Sequence, residues 1–300
     1  MPATLDGLKE IAVIWGAETR RAVRSGRVVV LLGLYSMFSV LVLLIVGAVA
    51  NAIRDQVTAR LAETGNSEAA ATALSSEMKK SFIGALAGND AAMMEALSQV
   101  PLVVLVVFKV TLFFLPAYIA LMGFDQISGE VGPRSIRYLT VRARRASLLM
   151  GKFLVQATLL VGLVLIIDLG IFIYAGITNP DFTFAALAMN LLKFWLAAIV
   201  FSLAYVALTT LCSSLFRLPA VSLIFNFVML FVFWLMDVVG GAAASSGKSG
   251  EFIRYLSPSY YSGDLLHPQL TEFGISGLAY AVFAMAFLGI SYAVLRVRDL

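Results

Sequence analysis

The sequence predicts an all-α polytopic membrane protein with six transmembrane helices, and three observations predict it. First, the 300 residues are 60% hydrophobic and only 13% charged, with a mean hydropathy of +0.92, whereas soluble domains carry roughly 25% charged residues and about 45–50% apolar ones. Second, six apolar runs approach the ~20 residues that a helix needs to cross the ~30 Å hydrocarbon layer: 28–50, 100–122, 147–174, 186–212, 218–239 and 275–295. Third, of 22 Lys and Arg, 14 fall before the first run or in the second, fourth and final intervening segments. That bias places those segments, and both termini, in the cytoplasm. The net charge of +4 thus follows membrane sidedness and does not signal a nucleic-acid partner. The single cysteine, Cys212, excludes an internal disulfide, and the single histidine, His267, leaves no pair for a metal site.

Residues 1–27 precede the first span. Leu8, Ile11, Ile14 and Trp15 recur at helical spacing before Arg20, Arg21 and Arg24, which suits an amphipathic cytoplasmic helix at the membrane interface; the alternative is a solvated basic tail that only sets topology. "AVA" at 48–50 resembles a signal-peptide cleavage site. The apolar run before it is about 23 residues, against the about 7–15 of a signal core, so the run is read as a span.

The outer segment 51–99 is rich in Ala, Glu and Met, with helix-start signals at Asn66-Ser67 and Asn89-Asp90. It is expected to form two or three short helices, either receiving a substrate or protein partner or serving as a structural cap. Within the second span, Pro116 interrupts the helical hydrogen bonding. Lys109 in the second span and Asp168 in the third are charged residues in apolar surroundings, and so functional candidates. Three readings are open: a Lys109–Asp168 pair locking two helices, Lys109 lining a pathway, or simple snorkelling of the lysine.

The second outer segment, 240–274, contains "SPSYYSGDLLHP" (257–268), which combines turn formers with Tyr260 and Tyr261. It reads as an aromatic-anchored, partly re-entrant hairpin with His267 as a loop residue. "AAASSGKS" (242–249) imitates a phosphate-binding loop, but it follows an apolar helix instead of a strand and emerges on the outer side; a flexible Gly/Ser turn is expected. No GxSxG, HExxH or CxxC occurs, so the chain is expected to be no enzyme and to bind no cofactor of its own.

The densest basic cluster joins the second and third spans: "SGEVGPRSIRYLTVRARRASLLMGK", 128–152. Setting topology needs only positive charge. An acidic turn, a Gly-Pro break and a helix with an apolar face exceed that need and suggest a docking element over about 123–146. Asp125, Ser128, Gly129, Glu130, Gly132, Arg145, Gly151 and Lys152 stand in an order that resembles the membrane subunits of ABC transporters of the type-2 exporter class. The resemblance is specific over about 30 residues and is supported elsewhere by architecture. "PRSIRYL" departs from the family's commoner continuation.

The resemblance implies a permease of the plasma membrane, the bacterial inner membrane, that pairs with a second, identical or related permease. Two cytoplasmic ATPase subunits carry the ATP and magnesium and bind the interfacial helix and the loop. It assigns coupling to Asp125, Ser128, Gly129, Glu130, Arg134, Arg137, Arg145 and Trp15. Glu130 either anchors the loop by pairing with a basic residue of the ATPase or of the N-terminal helix, or caps the short helix that follows. The expected function is ATP-driven export through the permease dimer, beside the first, second and fifth spans. Aromatic spans (Phe113, Phe114, Phe225, Phe231) favour an amphiphilic or bulky cargo. Two other readings are a scaffold doing mechanical work on an outer partner through 51–99 and an ion-coupled carrier, although no inverted repeat supports the latter.

Overall fold

The computed structural model describes residues 2–24, 28–41, 90–98, 102–133, 143–178, 184–245, 252–267 and 269–298, with isolated positions besides (26, 44, 48, 80, 83, 84 and 250). Among them there is no strand. The helices are α1 Pro2–Arg24, α2 Val28–Leu41, α3 Ala91–Ser98, α4 Leu102–Gly123, the single turn α5 Ser128–Val131, α6 Arg145–Thr178, α7 Phe184–Leu215, α8 Pro219–Ser245, the short α9 Phe252–Tyr255 and α10 Leu270–Val297. Among the described residues, five helices are long and apolar enough to cross a bilayer, six when the bent pair α1–α2 counts as one. The later spans extend the apolar runs by up to six residues. Most of 51–99, the loop helix with Arg134, Arg137 and Arg142, and 246–249 lie outside the described residues.

α1 is amphipathic where the spans are uniformly apolar. It meets α2 at a bend of 67°. Gly26 lies in the joint at φ +70°, a left-handed backbone that a side chain would strain. α1 packs along the first turns of α6. This contact depends on Gly151: a Cβ there would stand 2.7 Å from Ile14 Cγ2 and 2.9 Å from Ile14 Cβ.

α7 is the hub and packs against α4, α6, α8 and α10. Of its spanning window 56% is buried, against 17% for α8 and 22% for α10. Lipid is as apolar as leucine, so helices in a bilayer associate through close packing of small residues and through polar contacts. α7 supplies both: Ala197, Ala198, Ala204 and Ala207 are buried, as are Ser202, Thr209, Thr210, Ser213 and Ser214. Thr209 Oγ1 accepts a hydrogen bond from Asn226 Nδ2 of α8 at 2.9 Å. α8 instead turns Phe227, Phe231 and Trp234 outward.

At one end of the bundle, residues 257–266 fold back inside it. Ser257 Oγ donates to the Phe233 carbonyl (2.9 Å), Tyr280 Oη donates to the Pro258 carbonyl (2.7 Å), and Tyr205 Oη lies 3.3 Å from Ser259 Oγ. Tyr205 stands about 15 Å along α7 from Leu215, at ~1.5 Å per residue, so this segment reaches well below the bundle's rim. The turn formers thus fold this segment back against α7, α8 and α10. Arg254 ties it to α8 through Asp237 (3.2 Å) and stacks 4.7 Å over the Tyr260 ring. Close by, Asp90 caps α3, accepting from the N–H groups of Ala92 and Met93, as the Asn-Asp signal predicted. Its other oxygen lies 2.9 Å from His267 Nε2.

Candidate functional site: the junction at the basic end

The opposite end gathers the segments that the charge pattern assigned to one side. The turn after α4, the foot of α6, the end of α7, the end of α10 and the whole of α1 meet there, so the N-terminal helix and the C-terminal end of α10 share one end of the molecule.

The SGE segment is fixed from beneath. Ser213 Oγ of α7 accepts the backbone N–H of Ile127 (3.0 Å) and of Ser128 (3.1 Å). Ser128 Oγ donates to the Phe124 carbonyl at 2.9 Å, and Ser128 is fully buried. Gly129 N–H donates to the Asp125 carbonyl at 2.8 Å. Gly132 lies where a Cβ would meet the Arg217 carbonyl oxygen at 2.9 Å, so glycine permits the turn to rest on the α7–α8 connection. Ile127 and Val131 pack with Leu148, Leu149 and Leu295 in a small apolar cluster of their own.

These contacts aim Glu130 at α6. Glu130 Oε1 lies 2.8 Å from Lys152 Nζ, and Glu18 Oε1 of α1 lies 3.4 Å from the same nitrogen. The lysine side chain is only 6% exposed, against 16% for Glu130 and 26% for Glu18. A lysine so buried needs compensating charge, and two carboxylates from two other elements provide it. Lys152 therefore ties the N-terminal helix, the SGE turn and the third long span together through one atom.

Other contacts enclose the junction. Trp15 Nε1 donates to Thr158 Oγ1 at 3.1 Å while the ring stays part-exposed. Glu10 accepts from the Arg144 backbone N–H at 3.3 Å; hydrogen bonds from Ser147 and then from that N–H hold its carboxyl below the usual carboxylate range. Arg145 Nη1 donates to the carbonyls of Leu295 (2.7 Å) and Arg296 (2.6 Å), closing the end of α10. Arg298 Nη1 donates to the Ser214 carbonyl at 2.7 Å. Both arginines satisfy orphan carbonyls at a helix C-terminus.

The structure thus brings Trp15, Asp125, Ser128, Gly129, Glu130 and Arg145 to one end of the bundle. Arg134 and Arg137 lie outside the described residues, as does the helix that Glu130 was expected to cap. The structure adds detail at three points. Glu130 pairs with Lys152 of the third span, because the SGE turn sits directly on the foot of α6. Arg145 donates to carbonyls at the C-terminal end of α10. Lys109 and Asp168 form no ion pair among the described residues, and the lysine is exposed.

Sequence reasoning missed Glu18, Gln156, Thr158 and Ser213. Glu18 left a faint signal, as a lone carboxylate ahead of three arginines. Ser213 left none, since a serine in an apolar helix reads as packing.

A cavity of about 470 Å³ opens beside this junction. Glu18, Arg21, Asp125, Glu130 and Lys152 line its outer part, and Leu31, Leu159 and Leu163 line its inner part.

A bundle of long apolar helices with an amphipathic N-terminal helix packed on its basic end defines a multi-pass membrane protein. The family profile described as ABC-2 family transporter protein matches residues 12–295, nearly the whole chain, and the protein belongs to that family. It is accordingly a permease of an ABC-type transporter. No curated protein matches the chain.

Proposed function

We propose that the chain is the permease subunit of an ATP-driven exporter, working as a dimer with two separate ATPase subunits, and that the basic end faces the cytoplasm. The three-way junction of Glu18, Lys152 and Glu130 carries this reading. A push on either α1 or the SGE turn reaches α6 through a shared buried charge, so a cytoplasmic subunit that grips either surface moves a span. ATP binding and hydrolysis on that subunit bias the spans between two arrangements. Asp125, Ser128, Gly129 and Glu130 shape the gripped turn, and Trp15 and Arg145 hold its neighbours in register. Arg134 and Arg137, which follow the turn in sequence, add basic charge for the partner to engage. The outward Phe227, Phe231 and Trp234 of α8 leave an apolar face for lipid or for a second permease.

The ATP and magnesium belong to the partner subunits, and this chain transmits their motion.

Purification of the full chain from its native membrane in mild detergent tests the reading. A nucleotide-binding ATPase should elute with it in a one-to-one ratio and be stimulated by it. A chain that elutes alone, or with an outer-side protein only, contradicts the proposal.

A further inference from the structure

α1 divides its surface three ways. Ile14 and Glu18 face α6, against Gly151 and Lys152. Leu8, the open side of Trp15 and Val23 form an exposed apolar stripe. Arg20, Arg21 and Arg24 share a third face, three, four and seven positions after Ala17, and all three are exposed. With Ala17 between them they line an open groove of about 580 Å³. The groove runs about 10 Å along the helix at ~1.5 Å per residue and stops just before Gly26, where the chain bends into α2.

No carboxylate pairs with these three arginines among the described residues, whereas Lys152, Arg144 and Arg254 each have one. Arg20 Nε donates to the Gly16 carbonyl at 3.0 Å, which orients the guanidinium and leaves its Nη groups for another acceptor. Guanidinium forks on one helical face match an oxyanion, and phosphate takes such a fork two nitrogens at a time.

Position says which phosphate. α2 begins directly after the bend and turns Val29, Val30, Leu34 and Met37 outward, so the groove stands at the end of an exposed apolar strip. On a helix of ~3.6 residues per turn the apolar stripe of α1 and its arginines stand roughly opposite each other. A bilayer surface satisfies both at once: acyl chains take Leu8, Trp15 and Val23, and the headgroup layer takes the arginines. An acidic protein would match the charge and leave the stripe in water.

We infer that Arg20, Arg21 and Arg24 form a docking surface for the phosphate of an anionic phospholipid in the leaflet at the basic end. The lipid holds α1 within a turn of Glu18, the residue that α1 contributes to Lys152. Binding does not depend on the export role; any effect of the lipid on ATPase coupling does.

Native mass spectrometry tests it on the full chain without ATPase, released from detergent micelles that hold phosphatidylglycerol and phosphatidylcholine in equal amounts. The unmodified chain should retain phosphatidylglycerol in preference. Arg20→Gln, Arg21→Gln and Arg24→Gln should each weaken that retention about fivefold, and together about a hundredfold. Lys193→Gln, toward the other end of α7, should leave it unchanged. Glutamine keeps helix propensity, so the triple variant should still elute as a monodisperse species. A second measurement leaves the arginines in place: benzoylphenylalanine substituted for Ala17, in nanodiscs of the same two lipids, should give mainly the phosphatidylglycerol adduct on irradiation. Equal retention or equal crosslinking of the two lipids overturns the inference, as does retention unchanged in the triple variant. A protein adduct in place of a lipid adduct, when the same probe is irradiated in native membranes, overturns it too. An ATPase caught there would support the coupled role while removing the lipid, and lipid retained by a chain that binds no ATPase would do the reverse.

Discussion

Glu130 and Lys152 face each other across 2.8 Å, joining a turn that follows one span to the first turns of the next. The pair is largely buried, and breaking such a pair costs roughly 3–5 kcal/mol because the survivor is left charged and unpaired. Glu18 still shares the lysine, so Glu130→Gln should cost less, about 1–3 kcal/mol, and Lys152→Met more, since it strands two carboxylates. Thermal unfolding in detergent, read as a shift in midpoint, should rank them in that order. A Glu130→Gln cost equal to or above that of Lys152→Met would contradict a lysine shared by the two carboxylates.

Gly151 sets how closely α1 lies on α6. With a Cβ at 2.7 Å from Ile14 Cγ2, Gly151→Val should lift α1 and break the Trp15–Thr158 hydrogen bond. Trp15 fluorescence, measured with the other two tryptophans replaced, should shift and become more accessible to an aqueous quencher. An unchanged spectrum would mean that α1 is held from elsewhere.

Ser213 satisfies two backbone N–H groups with one hydroxyl. Ser213→Ala leaves both donors buried and unmet, at about 1–3 kcal/mol, whereas Ser213→Thr keeps the hydroxyl. The alanine variant should show faster amide exchange at Ile127 and Ser128 with the rest of α7 unaffected. Protection at both amides equal to that of the unmodified protein would dismiss the serine as their anchor.

Asp90 titrates below its ordinary 3.8, chiefly through the hydrogen bond with His267 and secondarily through the Met93 N–H. Gln269 N–H donates to His267 Nδ1, which leaves the ring proton on Nε2, facing Asp90. A depressed carboxylate pKa contributes stability above the unfolded value of about 3.8, lost as pH falls through the lower folded value. The α3 cap and its link to the re-entrant segment should therefore survive at pH 4 and fail only in stronger acid. Carbon-13 NMR of Asp90 should place its midpoint below 3.8, and His267→Ala should raise it. A midpoint at or above 3.8 in the unmodified protein would remove the pair from the account.

Much of the fold was legible in the residues because a bilayer imposes one dominant signal. Each of the five later spans appears within six residues of its apolar run at either end. Trp15 and the arginines behind it disclosed the amphipathic N-terminal helix, and Asp90 announced its cap. The candidate site was legible as a segment and not as a set of bonds. "SGE" and "MGK" are 22 residues apart at Glu130 and Lys152, and nothing in their spacing reveals that a turn resting on Ser213 would aim one at the other. Arg145 is a related case: its charge marked the same end of the bundle, but its partners, the carbonyls of Leu295 and Arg296, lie about 150 positions later. Lys109 and Asp168 invited pairing as the two in-span charges, yet no ion pair joins them among the described residues, because spacing along two helices does not reveal which faces meet.

The claim on which the rest depends is that the turn after α4 faces the cytoplasm and is gripped there by an energy-supplying subunit. Pro133 is exposed at its tip and takes no part in the contacts described above. A photocrosslinking amino acid placed at that position in intact cells should yield a covalent adduct with a nucleotide-binding ATPase and resist membrane-impermeant reagents added outside. An adduct with an outer-side protein, or labelling of that position from outside intact cells, would contradict the account.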